Sequence, residues 1–403
     1  MEEKPLEVRG APVDEGALGQ IRRCLEDEEA AAGVLCADHH LGYSMPIGGV
    51  IAYRNAVSPS GVGYDIACGN KAVRTNLRAA DVRPDLVRIM EAIHGGLEFG
   101  MGRRNPRPVG HDLFDDPVWR DIPALGRLRD LAMAQLGTIG SGNHYVDLFE
   151  DEDGSLWIGV HFGSRGLGHK TCTGFLNLAK GKEFGARPGR EDMNAPASVL
   201  SLASPVGQDY MAAMNLAGRY AYAGRDYVCR RVLEILGAEP LFEVHNHHNF
   251  AWEETHGGET FVVVRKGATP AWPGQLSFIG GSMGDISVIA EGVDTEGAGR
   301  LLRSTVHGAG RTMSRTKAAG RRMRTKRGQV IRKGGLITRQ DMNAAVKARG
   351  VILRGADTDE APQAYKRLGE VLAHHEDALR IRHTLAPIGV AMAGPDVRDD
   401  FRD

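Results

Sequence analysis

Leu241-Phe242-Glu243-Val244-His245-Asn246-His247-His248-Asn249 joins a strand-like run to a cluster of imidazoles. Residues 241–245 read as one strand and the valine-rich 259–265 as another, and the two bracket the histidines. The same texture recurs outward along the chain. Residues 145–149 and 155–160 read as strands that each lie beside a histidine, and 33–37, 49–53 and 71–75 are short apolar runs between glycine-bearing turns. Helical spacing marks 14–30, 82–94, 121–136, 207–237 and 361–380, and a short apolar segment, 388–392, precedes an acidic tail. Residues 99–116, rich in Gly, Pro and Arg, read as a loop. The expected architecture is α/β of the α+β type: one large domain over 1–403 with a mixed β-sheet core, surrounding helices, long active-site loops and a disordered tail at 395–403.

Bulk properties narrow the function. With 403 residues, 42% hydrophobic and 25% charged, the chain has the composition of a soluble globular protein. A formal charge of −1 gives no global field toward nucleic acid or membrane, so any such contact needs a local patch. Glycine is in excess, at 53 of 403 residues, and the surplus lies in turns beside histidines. No apolar run is long enough to span a bilayer, and residues 1–10 contain no signal-peptide core. The five cysteines are scattered without a CxxC pair, which predicts reduced thiols and a cytoplasmic location.

Four glycine- or asparagine-flanked neighbourhoods could ligate a metal: Gly61 to Asn70 with Asp65 and Cys68, Gly140 to His144, His161 to Gly166, and His245 to Asn249. Each histidine taken singly is more often a hydrogen-bonded structural residue. Together, at the ends of strand-like segments, they could meet on one rim. A mixed Asp/Cys/His set admits Mn²⁺, Zn²⁺ or Fe²⁺, and the donors exceed the four of a structural zinc site, which suits two ions sharing a ligand. A further segment, Ser304-Thr305-Val306-His307-Gly308-Ala309-Gly310-Arg311-Thr312-Met313-Ser314-Arg315-Thr316, presents one imidazole in a turn of small residues, with two guanidiniums behind it. Such a histidine can attack phosphorus, while backbone N–H groups and Arg311 and Arg315 hold phosphate oxygens. Arg165 is a third candidate clamp. Asn143 and Asn249, each next to a candidate ligand, are suited to phosphate or ribose. Gly281 and Ser282 offer donors to a nucleotide.

In order along the chain, Ala37-Asp38-His39-His40-Leu41-Gly42, Gly61 to Cys68, Gly137 to His144, His161 to Gly168, His247-His248-Asn249, Arg265-Lys266-Gly267-Ala268-Thr269, Gly281-Ser282-Met283-Gly284, His307 to Lys317, Asp359-Glu360-Ala361-Pro362 and Tyr365-Lys366 resemble the RtcB family of RNA-splicing ligases. The resemblance covers most of the chain. It implies that Asp65, Cys68, His144, His161 and His248 hold two Mn²⁺ ions (other divalent ions being possible), with Cys68 bridging. His307 would accept GMP from GTP, with Gly281, Ser282, Met283, Gly308, Ala309 and Gly310 around the nucleotide. It also implies ligation of RNA 3′-phosphate or 2′,3′-cyclic phosphate ends to 5′-hydroxyl ends, on tRNA halves or cleaved RNA. An activating protein partner and a monomer or weak dimer complete the expectation.

Four positions depart from the family's usual residues: Phe162 for serine, Val306 for cysteine, Gly280 for proline, and Met392 near the place of a C-terminal lysine. The last removes an ammonium from the expected guanine pocket. The alternatives it leaves are a metal-dependent RNA-end phosphoesterase that opens cyclic phosphates with weak or no ligation, or an altered nucleotide preference. The run from Arg311 to Lys333 has ten basic residues and no acidic one. It is expected to follow an RNA backbone rather than stack on bases, since no aromatic residue interleaves it.

Overall fold

Antiparallel pairing of 145–151 with 155–161 anchors the larger sheet in a computed structural model that describes residues 4–187, 192–324 and 330–395. Its strands follow the order Leu276–Ile279, Ser287–Gly292, Leu379–Met392, Tyr145–Asp151, Ser155–His161, Gly69–Arg78, Pro240–His247. Ile352–Arg354 adds in parallel to Leu379–Met392. The two ends of this path curl toward each other and are joined by side chains. Phe278 donates its N–H to Asn246 Oδ1 at 3.0 Å and accepts from Asn70 Nδ2 at 2.8 Å. A second sheet runs Leu6–Val8, Ala30–His40, Ile47–Tyr53, Glu259–Lys266, Asn249–His256, parallel only between its first two strands.

The chain passes from one sheet to the other at a single residue. Pro240–His247 belongs to the larger sheet and Asn249–His256 to the smaller, so His248 is the hinge between them. The strand thus runs two residues beyond the expected 241–245, so that Asn246 and His247 also lie on it.

The longest helix, Pro205–Leu236, has the expected apolar face: Tyr210, Met214, Ala217, Tyr220, Ala221 and Val228 are all buried. Ser204 caps its start by accepting from Gly207 N–H, and Gly237 ends it in a left-handed conformation. Burying each of the larger side chains on that face contributes about 1.5–3 kcal/mol. Among the described residues no helix is long and apolar enough to cross a membrane.

Three expectations need correction. Residues 361–380 hold only the turn Pro362–Ala364 and the helix Leu368–Ala373 before the strand begins at Leu379. Their backbone is engaged elsewhere: Lys366 N–H donates to Gly310 O and Leu368 N–H to Asp285 Oδ2. The helix expected over 121–136 is split into Pro123–Gly126 and Arg129–Gln135. The helix Arg165–Ala179 was not expected, because its glycines mask the apolar spacing. The tail beyond residue 395 and the basic residues at 325–329 fall outside the described residues.

Candidate active site

Strand register brings the candidate ligands to one end of the larger sheet. Cys68 directly precedes Gly69–Arg78, and its N–H closes a turn on Asp65 O at 3.0 Å. Asn70 pairs with His161 on one side and with Asn246 on the other, while Tyr145, the residue after His144, also pairs with His161. His248 N–H donates to Cys68 O at 2.8 Å. The Cys68 thiol is 3.5 Å from His161 Nε2 and 3.7 Å from His144 Nε2, and His144 Nε2 is 3.0 Å from Asp65 Oδ2. Two triads result. Cys68, His161 and His248 offer ligand atoms within 4.8 Å of one another, as do Asp65, Cys68 and His144; Cys68 belongs to both.

The far nitrogens of two imidazoles are fixed. His161 Nδ1 lies 2.6 Å from Asn70 Oδ1 and His144 Nδ1 lies 2.9 Å from Ile139 O, geometries that put the proton on Nδ1 and a lone pair on Nε2. Burial, then the neighbouring imidazoles, depresses the His161 and His248 pKa values well below the ordinary range, so both rings are neutral. Burial opposes ionisation of Asp65, but the hydrogen bond and charge of His144 outweigh it and lower its pKa. His248 Nδ1 is buried without a hydrogen-bond partner among the described residues. A neutral-imidazole, carboxylate and thiol set with converging lone pairs fits divalent cations.

His307 follows the strand Ser304–Val306, and its ring stands edge-on to His248 with centroids 4.9 Å apart. Asp38, fully buried, accepts from His307 Nδ1 at 2.6 Å, from His307 N–H at 3.0 Å and from Gly308 N–H at 3.3 Å, all through Oδ2. Burial opposes the Asp38 charge, yet His307 prevails and lowers its pKa. With its proton on Nδ1, the imidazole keeps its lone pair on Nε2. Sequence reasoning had Asp38 within a motif but gave it no role; the available signal was an acid in the same set of motifs as a nucleophilic histidine.

The arginines are less free than their spacing suggested. Arg311 spends its guanidinium on Met313 O, Glu360 Oε2, Tyr365 Oη and Asp359 O, which makes it a brace for its own loop. Arg315 Nε is 3.5 Å from Glu360 Oε1. Arg165 Nε donates to Thr138 Oγ1 at 3.3 Å, and its Nη1 is 3.4 Å from His144 Nδ1. The 140–143 loop admits two of these groups: a side chain on Gly140 (φ 99°) would collide with the Arg165 guanidinium, and one on Gly142 (φ 72°) with that of Arg315. Asn249 braces backbone, donating to Asp65 O and accepting from Gly267 N–H. Asn143, Gly281, Ser282, Met283, Gly308, Ala309 and Gly310 all line the same cavity of about 630 Å³ as the triads and His307.

The departures from the family pattern find places. Phe162 and Val306 are buried in the interior. Gly280 is required by Tyr145, whose hydroxyl stands 2.5 Å from where a Cβ would lie. Met392 pairs with Tyr145 and Val390 with Asp147 across adjacent strands, and all four line the cavity. Tyr145 Oη and Asp147 Oδ1 are buried without hydrogen-bond partners among the described residues. Burial raises the Asp147 pKa well above the carboxylate range. Neither residue was singled out from sequence, since i, i+2 placement on a strand gives no functional signal by itself.

The tRNA-splicing ligase RtcB family model matches residues 28–118 and 124–393. The RNA-splicing ligase RtcB of Escherichia coli strain K12 is 31% identical over 386 residues, covering 87% of each chain. The tRNA-splicing ligases RtcB of Archaeoglobus fulgidus and Thermococcus kodakarensis are 30% and 31% identical, each covering 89% of this chain and 87% of its own. With the match spanning both triads, the His307 turn and the Tyr145 wall, the chain belongs to the RtcB family.

Proposed function

We propose that this chain is a GTP-dependent RNA ligase that joins 3′-phosphate or 2′,3′-cyclic phosphate ends to 5′-hydroxyl ends, acting as one catalytic domain with two Mn²⁺ ions. The observation that carries this reading is the thiol common to two ligand triads, one of whose imidazoles touches the ring of His307. Cations held by Asp65, Cys68, His144, His161 and His248 would neutralise the triphosphate and polarise its phosphorus. His307 Nε2 attacks the α-phosphorus of GTP, a P–N bond forms, and pyrophosphate leaves. Asp38 keeps the Nδ1 proton and stabilises the positive charge that develops on the ring. Water first opens a 2′,3′-cyclic phosphate to the 3′-phosphate, freeing the 2′-hydroxyl; the guanylate then passes to the RNA 3′-phosphate, freeing His307, and the 5′-hydroxyl displaces GMP to close the phosphodiester. Arg165 and Arg315, beside the 140–143 loop, supply charge for the oxygens in transit.

Altered nucleotide preference is the second reading, and Met392 favours it, because an apolar thioether stands in the wall beside Tyr145 and Asp147. Asp147 is the acceptor that wall offers to a base N–H edge. The experiment is incubation with α-labelled GTP and Mn²⁺, followed by joining of RNA ends. Label stable to alkali, lost in acid and absent from His307→Ala supports the ligase. Label from ATP in preference to GTP supports the second reading, and cyclic-phosphate opening with no label would mean a phosphoesterase.

A further inference from the structure

Joining two RNA ends requires two backbones to leave the cavity, and the basic run that begins at Arg311 is expected to follow one of them. A second basic stretch lies at the other end of the 140–143 loop. Residues 99–110 contain Arg103, Arg104 and Arg107 and no acidic residue. All three side chains are on exposed residues, and Met101 and Gly102 line the cavity itself. Arg103 has Glu98 at 4.0 Å, at the limit of an ion pair; Arg104 and Arg107 have no ion pair among the described residues.

Hydrogen bonds strap this irregular segment to the site. Gly100 N–H donates to Gly140 O at 2.6 Å and Ile139 N–H to Glu98 O at 2.9 Å. Asn105 donates through N–H to Ala134 O at 2.8 Å and through Nδ2 to Leu136 O at 2.5 Å. Gln135 reaches both ways, donating to Arg103 O at 3.1 Å and accepting from Gly166 N–H at 3.0 Å. The backbone of Arg103 is thus one amide side chain away from the turn that carries Arg165. Guanidiniums on a strap fixed in this way lose less freedom on binding than they would on a free loop.

The loop separates the two charged stretches, for Gly140 packs on Arg165 at the strap's end and Gly142 on Arg315 at the other. We infer that Arg103, Arg104 and Arg107 form a second nucleic-acid track, which holds the sugar-phosphate backbone of one RNA strand while the exposed Lys317, Arg321 and Lys333 hold the other. In a protein of net charge −1, two such local tracks are what would draw both strands to one cavity. The inference rests on the ligase reading for its partner but not for its test.

The test uses the full chain and two labelled 20-nucleotide RNAs, one ending in 5′-hydroxyl and one in 3′-phosphate, titrated separately by fluorescence anisotropy between 50 and 300 mM salt. Arg104→Ser with Arg107→Ser should weaken binding of one RNA about tenfold and lower its salt slope by about 1.4, at ~0.7 per single-strand phosphate contact. The Arg104→Lys, Arg107→Lys pair should bind as the wild type does. Unchanged affinity and slope in the serine pair, equal loss for both RNAs, or a lysine pair as weak as the serine pair would each overturn the track. Labelling of His307 by GTP involves no RNA, so its failure would sink the ligase reading while leaving this measurement interpretable.

Discussion

Two stretches of the cavity lining differ in how their polar side chains are held. Among the ligands and the nucleophile, His161 is held by Asn70, His144 by the Ile139 carbonyl, and His307 by a carboxylate that makes three hydrogen bonds, while His248 Nδ1 and Asp38 Oδ1 have no partner among the described residues. On the strand beside that of His161, Tyr145 Oη and Asp147 Oδ1 are buried and unpartnered among the described residues, next to Val390 and Met392, and the Tyr145 ring stacks on that of His161. Preorganised groups suit cations and chemistry that every turnover repeats, since no reorganisation is needed when charge develops. Unpartnered buried groups are costly, by about 1–3 kcal/mol each, and are offset when a ligand brings the missing partners. The pinned imidazoles suit reaction, and the strand pair of Tyr145, Asp147, Val390 and Met392 suits recognition.

The largest effect should come from Cys68→Ala, because one sulfur serves both triads. Calorimetric titration with Mn²⁺ should find both sites weakened by roughly 100-fold or more; one site left at wild-type affinity would mean that the sulfur is not shared. Asp38→Asn should slow nucleotide labelling of His307 by roughly 10²–10⁴-fold, through loss of the Nδ1–H tautomer, with metal affinity unchanged. A small rate effect would demote Asp38 to a backbone brace.

Asn70→Ala, which frees the far nitrogen of His161, should weaken metal binding about 10- to 100-fold, and normal binding would break the claim that this side is pinned. On the strand beside that of His161, Tyr145→Phe removes one hydroxyl worth about 1 kcal/mol, so nucleotide binding should change only about fivefold. The smallest effect is a slope with pH. Because burial raises the Asp147 pKa, the folded state keeps a proton that the unfolded chain releases above about pH 4. Stability should therefore fall as pH rises from there toward the folded pKa, and melting curves of Asp147→Asn should show a flatter profile. Equal slopes would place a partner on the Asp147 carboxyl.

Chemistry-bearing residues were readable because donor side chains gather there among glycines and other small neighbours. Asp65 and Cys68 between glycines, the His247-His248-Asn249 cluster and the His307 turn became legible as a set rather than singly. Strands at 145–149 and 155–160 were legible from local apolar runs, which depend on near neighbours alone. Residues 361–380 misled for the opposite reason: their helical spacing is real, but backbone bonds to Gly310 and Asp285 hold part of the segment extended.

The sequence by itself determined an inventory: which donors exist, where some of the strands lie, and that no bulk charge attracts nucleic acid. Only the tertiary structure decided the assignments that depend on contacts distant in the chain. Asp38 meets His307 across 269 positions, Glu360 and Asp359 occupy Arg311, and Tyr145 explains why residue 280 has no side chain. Local pattern carries the information for local geometry, whereas a hydrogen-bond partner is chosen by where the sheets bring two strands together, and that choice is made in three dimensions.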